Sequence, residues 1–166
     1  MDCMDVNKPR TVEVSEIKKQ KPKQEGKAAW REIWLTWDSG AGDFVCGPDD
    51  FPECPVRDSL ARKAGVTYTG PNGAVMENAG EKVVEVATEE FPALGGVWQV
   101  ATKVQKPLAS AGQAARAGFA SWLDAPDEES YVIHKKSGKK IGLKWVNGVY
   151  KMQAWVRNPG FTRPGR

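Results

Sequence analysis

The chain has 166 residues, 40% of them hydrophobic and 27% charged, which suits one domain with a real core plus a tail and is too little for two full domains. No run of roughly 18 apolar residues is present to span a bilayer, and neither end carries the apolar stretch of a secretory leader. The sequence therefore predicts a soluble, intracellular and cytoplasmic protein with no membrane partner.

Cysteine and histidine usage narrows the chemistry. Cys3, Cys46 and Cys54 form no CxxC pair, and an odd count argues against a disulfide-stapled secreted fold. Together with the single His134 they match no closed zinc site, so neither a metal nor a cofactor is expected. His134 sits beside Lys135 and Lys136 and reads as a surface histidine. With one histidine in the chain, a Ser-His-Asp or Cys-His catalytic set has little support. The stretch "SGAGDFVCG" contains neither GxGxxG nor GxxxxGK[ST], which removes a phosphate-binding loop.

Residues 1–28, rich in Lys, Gln, Glu and Pro, read as a flexible lead-in. A strand is expected from about Ala29 to Trp37, where Ile33, Leu35 and Trp37 alternate with Trp34 and Thr36. It runs into "DSGAG", and a short apolar piece at residues 44–46 precedes the proline-broken loop "GPDDFPECP". A hairpin follows, with Val66 and Tyr68 before the turn Gly70-Pro71-Asn72-Gly73, and with Val83, Val84 and Val86 on a later strand after Gly80. "GGVWQVATKV" is another strand. "PLASAGQAARAG" is the one helix candidate, alanine-rich, beginning after Pro107 and stopping at Gly118. Residues 131–136, then Ile141, Leu143 and Trp145, then Tyr150, Met152, Ala154 and Val156 make a C-terminal meander with turns at Ser137-Gly138 and Asn147-Gly148. Residues 157–166 read as a tail, and no internal repeat is visible. The expected fold is mainly β with one short helix.

Charge is uneven along the chain. The formal net charge is +3, yet no acidic residue follows Glu129, while nine Lys and Arg lie beyond it; the other basic residues number 15 against 21 acidic ones, or about −6. The basic end suits nucleic acid or an acidic partner. It equally suits a solvated hairpin whose lysines blunt exposed strand edges.

Asp38 raises the central question of the sequence. Asp-Ser-Gly is ordinary turn chemistry after a strand, and it is also how a catalytic aspartate is presented on a tight loop. The combination of apolar residue, Asp38, Ser39, Gly40 and Ala41, in a β-rich chain with a glycine-tipped hairpin downstream, resembles the retropepsin class of aspartic peptidases. The layout continues through "GVTYTGPNGAVMENAGEKVVEV" and "VQKPLASAGQAARAGF" to "IHKKSGKKIGLKWVNGVYKMQAWV", and is similar to the protease region of copia-type retrotransposon polyproteins. The likeness is specific over residues 35–42, suggestive to about residue 120 and weak beyond.

That resemblance implies a retropepsin-like closed β-barrel over residues 29–156. It also implies an aspartic endopeptidase acting on a retroelement-like polyprotein, with Asp38 as the catalytic residue. Ser39, Gly40 and Ala41 would support the loop: the serine by bonding across to a partner loop, the glycine by allowing the close turn, the alanine by packing beneath. Tyr68, Gly70 and Gly73 would belong to a flap over an extended peptide, although each glycine also serves an ordinary turn. The chemistry needs two carboxylates sharing a proton. The chain has only one DSGA, so the second must come from another copy, which implies a homodimer.

Three features depart from the family pattern. Trp37 is bulkier than the residue expected there, Asp43 adds a second carboxylate near Asp38, and Leu108-Ala109-Ser110 replaces an apolar-apolar-Gly element. Two other functions fit the chain: a peptidase-shaped scaffold without activity, and a basic, Trp-rich nucleic-acid or peptide-binding module. Of the seven tryptophans, most fall on alternating strands, where core packing is the simpler role.

Overall fold

The computed structural model describes residues 29–159; the lead-in expected over residues 1–28, most of the tail and Cys3 lie outside them. The described residues are mainly β. Ten strands run in chain order as β1 Trp30–Asp38, β2 Val45–Cys46, β3 Thr67–Thr69, β4 Val75–Ala87, β5 Leu94–Ala101, β6 Leu108–Ser110, β7 Phe119–Trp122, β8 Ser130–His134, β9 Lys140–Val146 and β10 Val149–Arg157. Two short helices interrupt them, α1 Leu60–Lys63 and α2 Ala111–Arg116.

Six strands form a hydrogen-bonded ring in the order β4-β5-β2-β6-β1-β10, and β10 returns to β4 through Trp155↔Ala87 and Val156↔Val86. The longest unbroken seam joins β1 to β10, antiparallel from Trp30↔Arg157 to Trp37↔Tyr150. Alternation sends Leu35 and Trp37 of β1 and Met152 and Ala154 of β10 to the same interior, where all four are buried. Cys46, Phe51, Val84, Val100, Ala109 and Leu143 complete the centre of this core. Beyond β10 the sheet continues through β9 and β8 to β7 as an antiparallel meander.

Several expectations are corrected in detail. The helix expected directly after Pro107 is first a strand: Leu108, Ala109 and Ser110 lie parallel to Thr36, Trp37 and Asp38. Helix starts only at Ala111, where the Ser110 side chain accepts from the Gln113 backbone amide and caps it. Its end is as expected, with Gly118 at φ +92°. A second helix, α1, went unread because one turn shows no apolar period; its signals were Ser59, whose side chain accepts from the Arg62 amide, and Gly65 at φ +70°. β4 does not start after Gly80 but runs through it, with a register shift between Asn78 and Gly80. β7 was not anticipated. His134 is half-buried, its Nδ1 paired with Ser137 Oγ at 2.7 Å and its ring set against Phe91 and Phe119 at centroid distances of 5.6 and 4.9 Å.

Lys82 takes an inward position on β4 and is 2% exposed. Its ammonium donates to the carbonyls of Pro48, Asp50 and Phe51 at 3.1, 2.6 and 3.2 Å, so its three protons tie the proline-broken loop to the ring.

Candidate functional site

Asp38 is the last residue of β1 and is half-buried. The chain turns immediately after it, and the Gly40 amide donates to Asp38 Oδ1 at 2.7 Å, an Asx-type turn that fixes the carboxylate against its own loop. A Cβ at Gly40 would stand 3.3 Å from that oxygen, so glycine here keeps the approach uncrowded. Ser39 is exposed, and Ala41 is half-buried.

The loop is held from a distant segment. Ser110, fully buried, donates from Oγ to the Ala41 carbonyl at 2.6 Å, and Gln113 Nε2 donates to the Gly42 carbonyl at 2.9 Å. Because β6 lies parallel to β1 with Ser110 opposite Asp38, one serine caps α2 and anchors the loop. Ser110 stands where the family pattern has glycine, and its hydroxyl uses that position to bond the Ala41 carbonyl. The readable signal was Ser-x-x-Gln at the head of an alanine-rich segment, the pattern of a capping box. What it could not show was the reach to residues 41 and 42.

Trp37 also has a place. It is 7% exposed and its indole Nε1 donates to Ser121 Oγ at 2.8 Å, so the bulky ring joins the ring of strands to β7. An apolar cavity of about 160 Å³ lies among Trp37, Phe44, Trp98, Ala114 and Phe119.

The glycine-tipped hairpin is formed by β3 and residues 75–77 of β4, paired Thr67↔Glu77 to Thr69↔Val75. At its tip the Gly70 amide bonds to the Ala74 carbonyl and the Gly73 amide to the Gly70 carbonyl, both at 2.9 Å, and Gly73 has φ +78°. Tyr68 faces the Asp38 loop: its hydroxyl donates to Asp43 Oδ2 at 3.3 Å and accepts from Asn78 Nδ2 at 3.2 Å. Burial raises the Tyr68 hydroxyl above its usual pKa, with the neighbouring Asp43 adding to the rise against the Asn78 hydrogen bond. Asp43 is thus turned to the hairpin.

The structure brings Asp38, Ser39, Gly40 and Ala41 into one loop and links Tyr68 to it through Asp43. Gly70 and Gly73 share the hairpin tip and, among the described residues, make no hydrogen bond to that loop. No second carboxylate is bonded to Asp38 among the described residues, and no group of three His, Cys, Asp or Glu side chains among them is placed to hold a metal ion. No helix there is long and apolar enough to cross a membrane. No protein-family model, curated protein or solved structure matches the chain.

Proposed function

We propose that this protein is a retropepsin-like aspartic endopeptidase that works as a homodimer, each copy contributing one Asp38, on peptide bonds of a retroelement-like polyprotein. The observation that carries the reading is the built setting of Asp38: a carboxylate at a strand end, held by the Gly40 amide, on a loop whose next two carbonyls are tied down by Ser110 and Gln113. An ordinary surface turn needs no such anchoring, whereas a catalytic group gains from fixed geometry. The ring of six strands is read as the closed barrel of that class, and the hairpin at residues 67–77 as its flap.

In this mechanism two Asp38 side chains meet on a twofold axis and share one proton, because like charges about 3 Å apart cannot both ionise. The ionised carboxylate takes a proton from a water, whose oxygen attacks the peptide carbonyl carbon, while the protonated carboxyl hydrogen-bonds the carbonyl oxygen. Collapse of the tetrahedral species breaks the C–N bond and passes a proton to the leaving amine. The titration belongs to the pair. Activity therefore falls both where the two carboxyls are protonated and where both are ionised. The test is cleavage of a mixed peptide library from about pH 4 to pH 8 by the protein and by Asp38→Asn. Cutting that disappears in the variant supports the reading. No cutting by the folded native protein contradicts it and favours a scaffold that binds peptides without hydrolysing them.

A second activity is favoured by one observation at the basic end. Lys140 lies over the Tyr131 ring at 4.2 Å, and the Trp122 ring, 56% exposed, runs nearly parallel to Tyr131 at 12°. Aromatic rings beside ammonium groups suit single-stranded nucleic acid. Binding of a short oligonucleotide that weakens steeply with salt and is reduced by Trp122→Ala supports it; salt-independent binding or none contradicts it.

A further inference from the structure

The hairpin at residues 67–77 leaves the ring at an irregular point, where the Glu77 carbonyl still accepts from the Thr102 amide at 3.2 Å. Up to Glu77, β4 pairs with β3; from Asn78 onward it pairs with β5, and its register shifts between Asn78 and Gly80. Gly80 sits at φ +124°, and a Cβ there would come within 2.4 Å of the Arg57 carbonyl, so the backbone at this pivot is open to glycine alone.

Asn78 occupies the pivot and is 6% exposed. Its Oδ1 accepts from the Gly80 amide at 2.8 Å and from Ser59 Oγ at 3.1 Å, while Nδ2 donates to Gln99 Oε1 at 2.9 Å and to the Tyr68 hydroxyl at 3.2 Å. These four bonds use both amide hydrogens and both oxygen lone pairs. The Tyr68 hydroxyl in turn donates a hydrogen bond to Asp43, in the loop that begins at Asp38. The hydrogen bonds thus run without a break from the pivot, through the hairpin, to the candidate catalytic loop.

We propose that Asn78, Tyr68 and Asp43 are positioning residues that set the stance of the hairpin over the Asp38 loop, with the Tyr68 to Asp43 bond as its latch. Tyr68 acts by holding the hairpin to its own chain. The stance belongs to the structure alone; only its catalytic consequence rests on the peptidase reading. Released from Asp43, the hairpin would swing away from the loop about residues 78–80, and its three β3 to β4 pairs, left without that support, would open more often. A peptide lying between hairpin and loop would then be gripped less well, while the chemistry at Asp38 would be little changed.

Hydrogen exchange on the full chain tests this, comparing the native protein with Tyr68→Phe, Asp43→Ala and Asp43→Asn. Tyr68→Phe and Asp43→Ala are expected to speed exchange of the paired amides at residues 67–77 about tenfold, with the amides of Val84 and Val86 unchanged. Asp43→Asn, which keeps an acceptor oxygen, is expected to stay close to the native pattern. Unchanged hairpin exchange in Tyr68→Phe overturns the proposal, and so does a rise spread equally over hairpin and ring, which marks general destabilisation. Where the protein cleaves peptides, Tyr68→Phe should raise KM several-fold with kcat within about twofold. An equal loss in kcat would contradict a purely positioning role. If the native protein cuts nothing, the peptidase reading fails while the exchange result still decides the latch.

Discussion

Asp38 was legible because the turn that presents it is local: Asp, Ser and Gly in succession after alternating apolar residues need only their neighbours to form. Its supports were not, since Ser110 and Gln113 act on carbonyls some 70 residues earlier in the chain. Ser110→Ala removes both the cap of α2 and the bond to the Asp38 loop, and it is expected to lower unfolding free energy by about 2 kcal/mol, measured by urea denaturation. Cys46 gives a pH-dependent counterpart. Burial pushes its thiol from an ordinary 9.0 up to about 12. Between those values the unfolded chain ionises Cys46 while the folded chain keeps it protonated, so stability is fully present below about pH 9 and declines as pH rises toward 12. Urea midpoints at about pH 8 and pH 10.5 should show that decline, and it should be smaller in Cys46→Ala.

At the scale of elements, strands with clear alternation and tight turns could be read. β9 and β10 follow the pattern on either side of Asn147-Gly148, whose φ values of 50° and 84° match the mirror-image turn favoured in two-residue hairpins. Two short elements, α1 and β7, could not be read. α1 has four residues and buries none of them, and β7 is specified by pairing with β8 rather than by its own sequence. The residues 108–110 show how tertiary pairing overrides propensity: alanine and leucine favour helix, yet three residues are taken as strand beside β1 before the helix begins. Gly80 marks where β4 changes partner. Gly80→Ala forces a Cβ against the Arg57 carbonyl and breaks the bridge between Arg57 and Glu81, so it should cost roughly 3 kcal/mol. A calorimetric scan showing an unchanged melting temperature would contradict this placement of the glycine.

For the whole molecule, the closing of the ring lies outside what periodicity can reveal. The last strand, β10, runs the length of β1 and also meets β4, pairings between segments far apart in sequence that no local pattern encodes. Resemblance at residues 35–42 supplied the expectation of a barrel, and the ring of strands is compatible with it. The same molecule-scale view isolates the unusual feature of the proposed site: one anchored carboxylate, where the proposed peptidase chemistry calls for two. On that proposal the second comes from another copy of the chain.

That claim is tested most directly by mixing native protein with Asp38→Asn in equal amounts, letting subunits exchange, and measuring peptide cleavage against the same total amount of native protein. If each active unit needs two Asp38 side chains, only about a quarter of the pairs are fully native and activity falls to about one quarter. Activity at about one half, each Asp38 acting on its own, or at about three quarters, one Asp38 sufficing for a pair, would contradict the shared site.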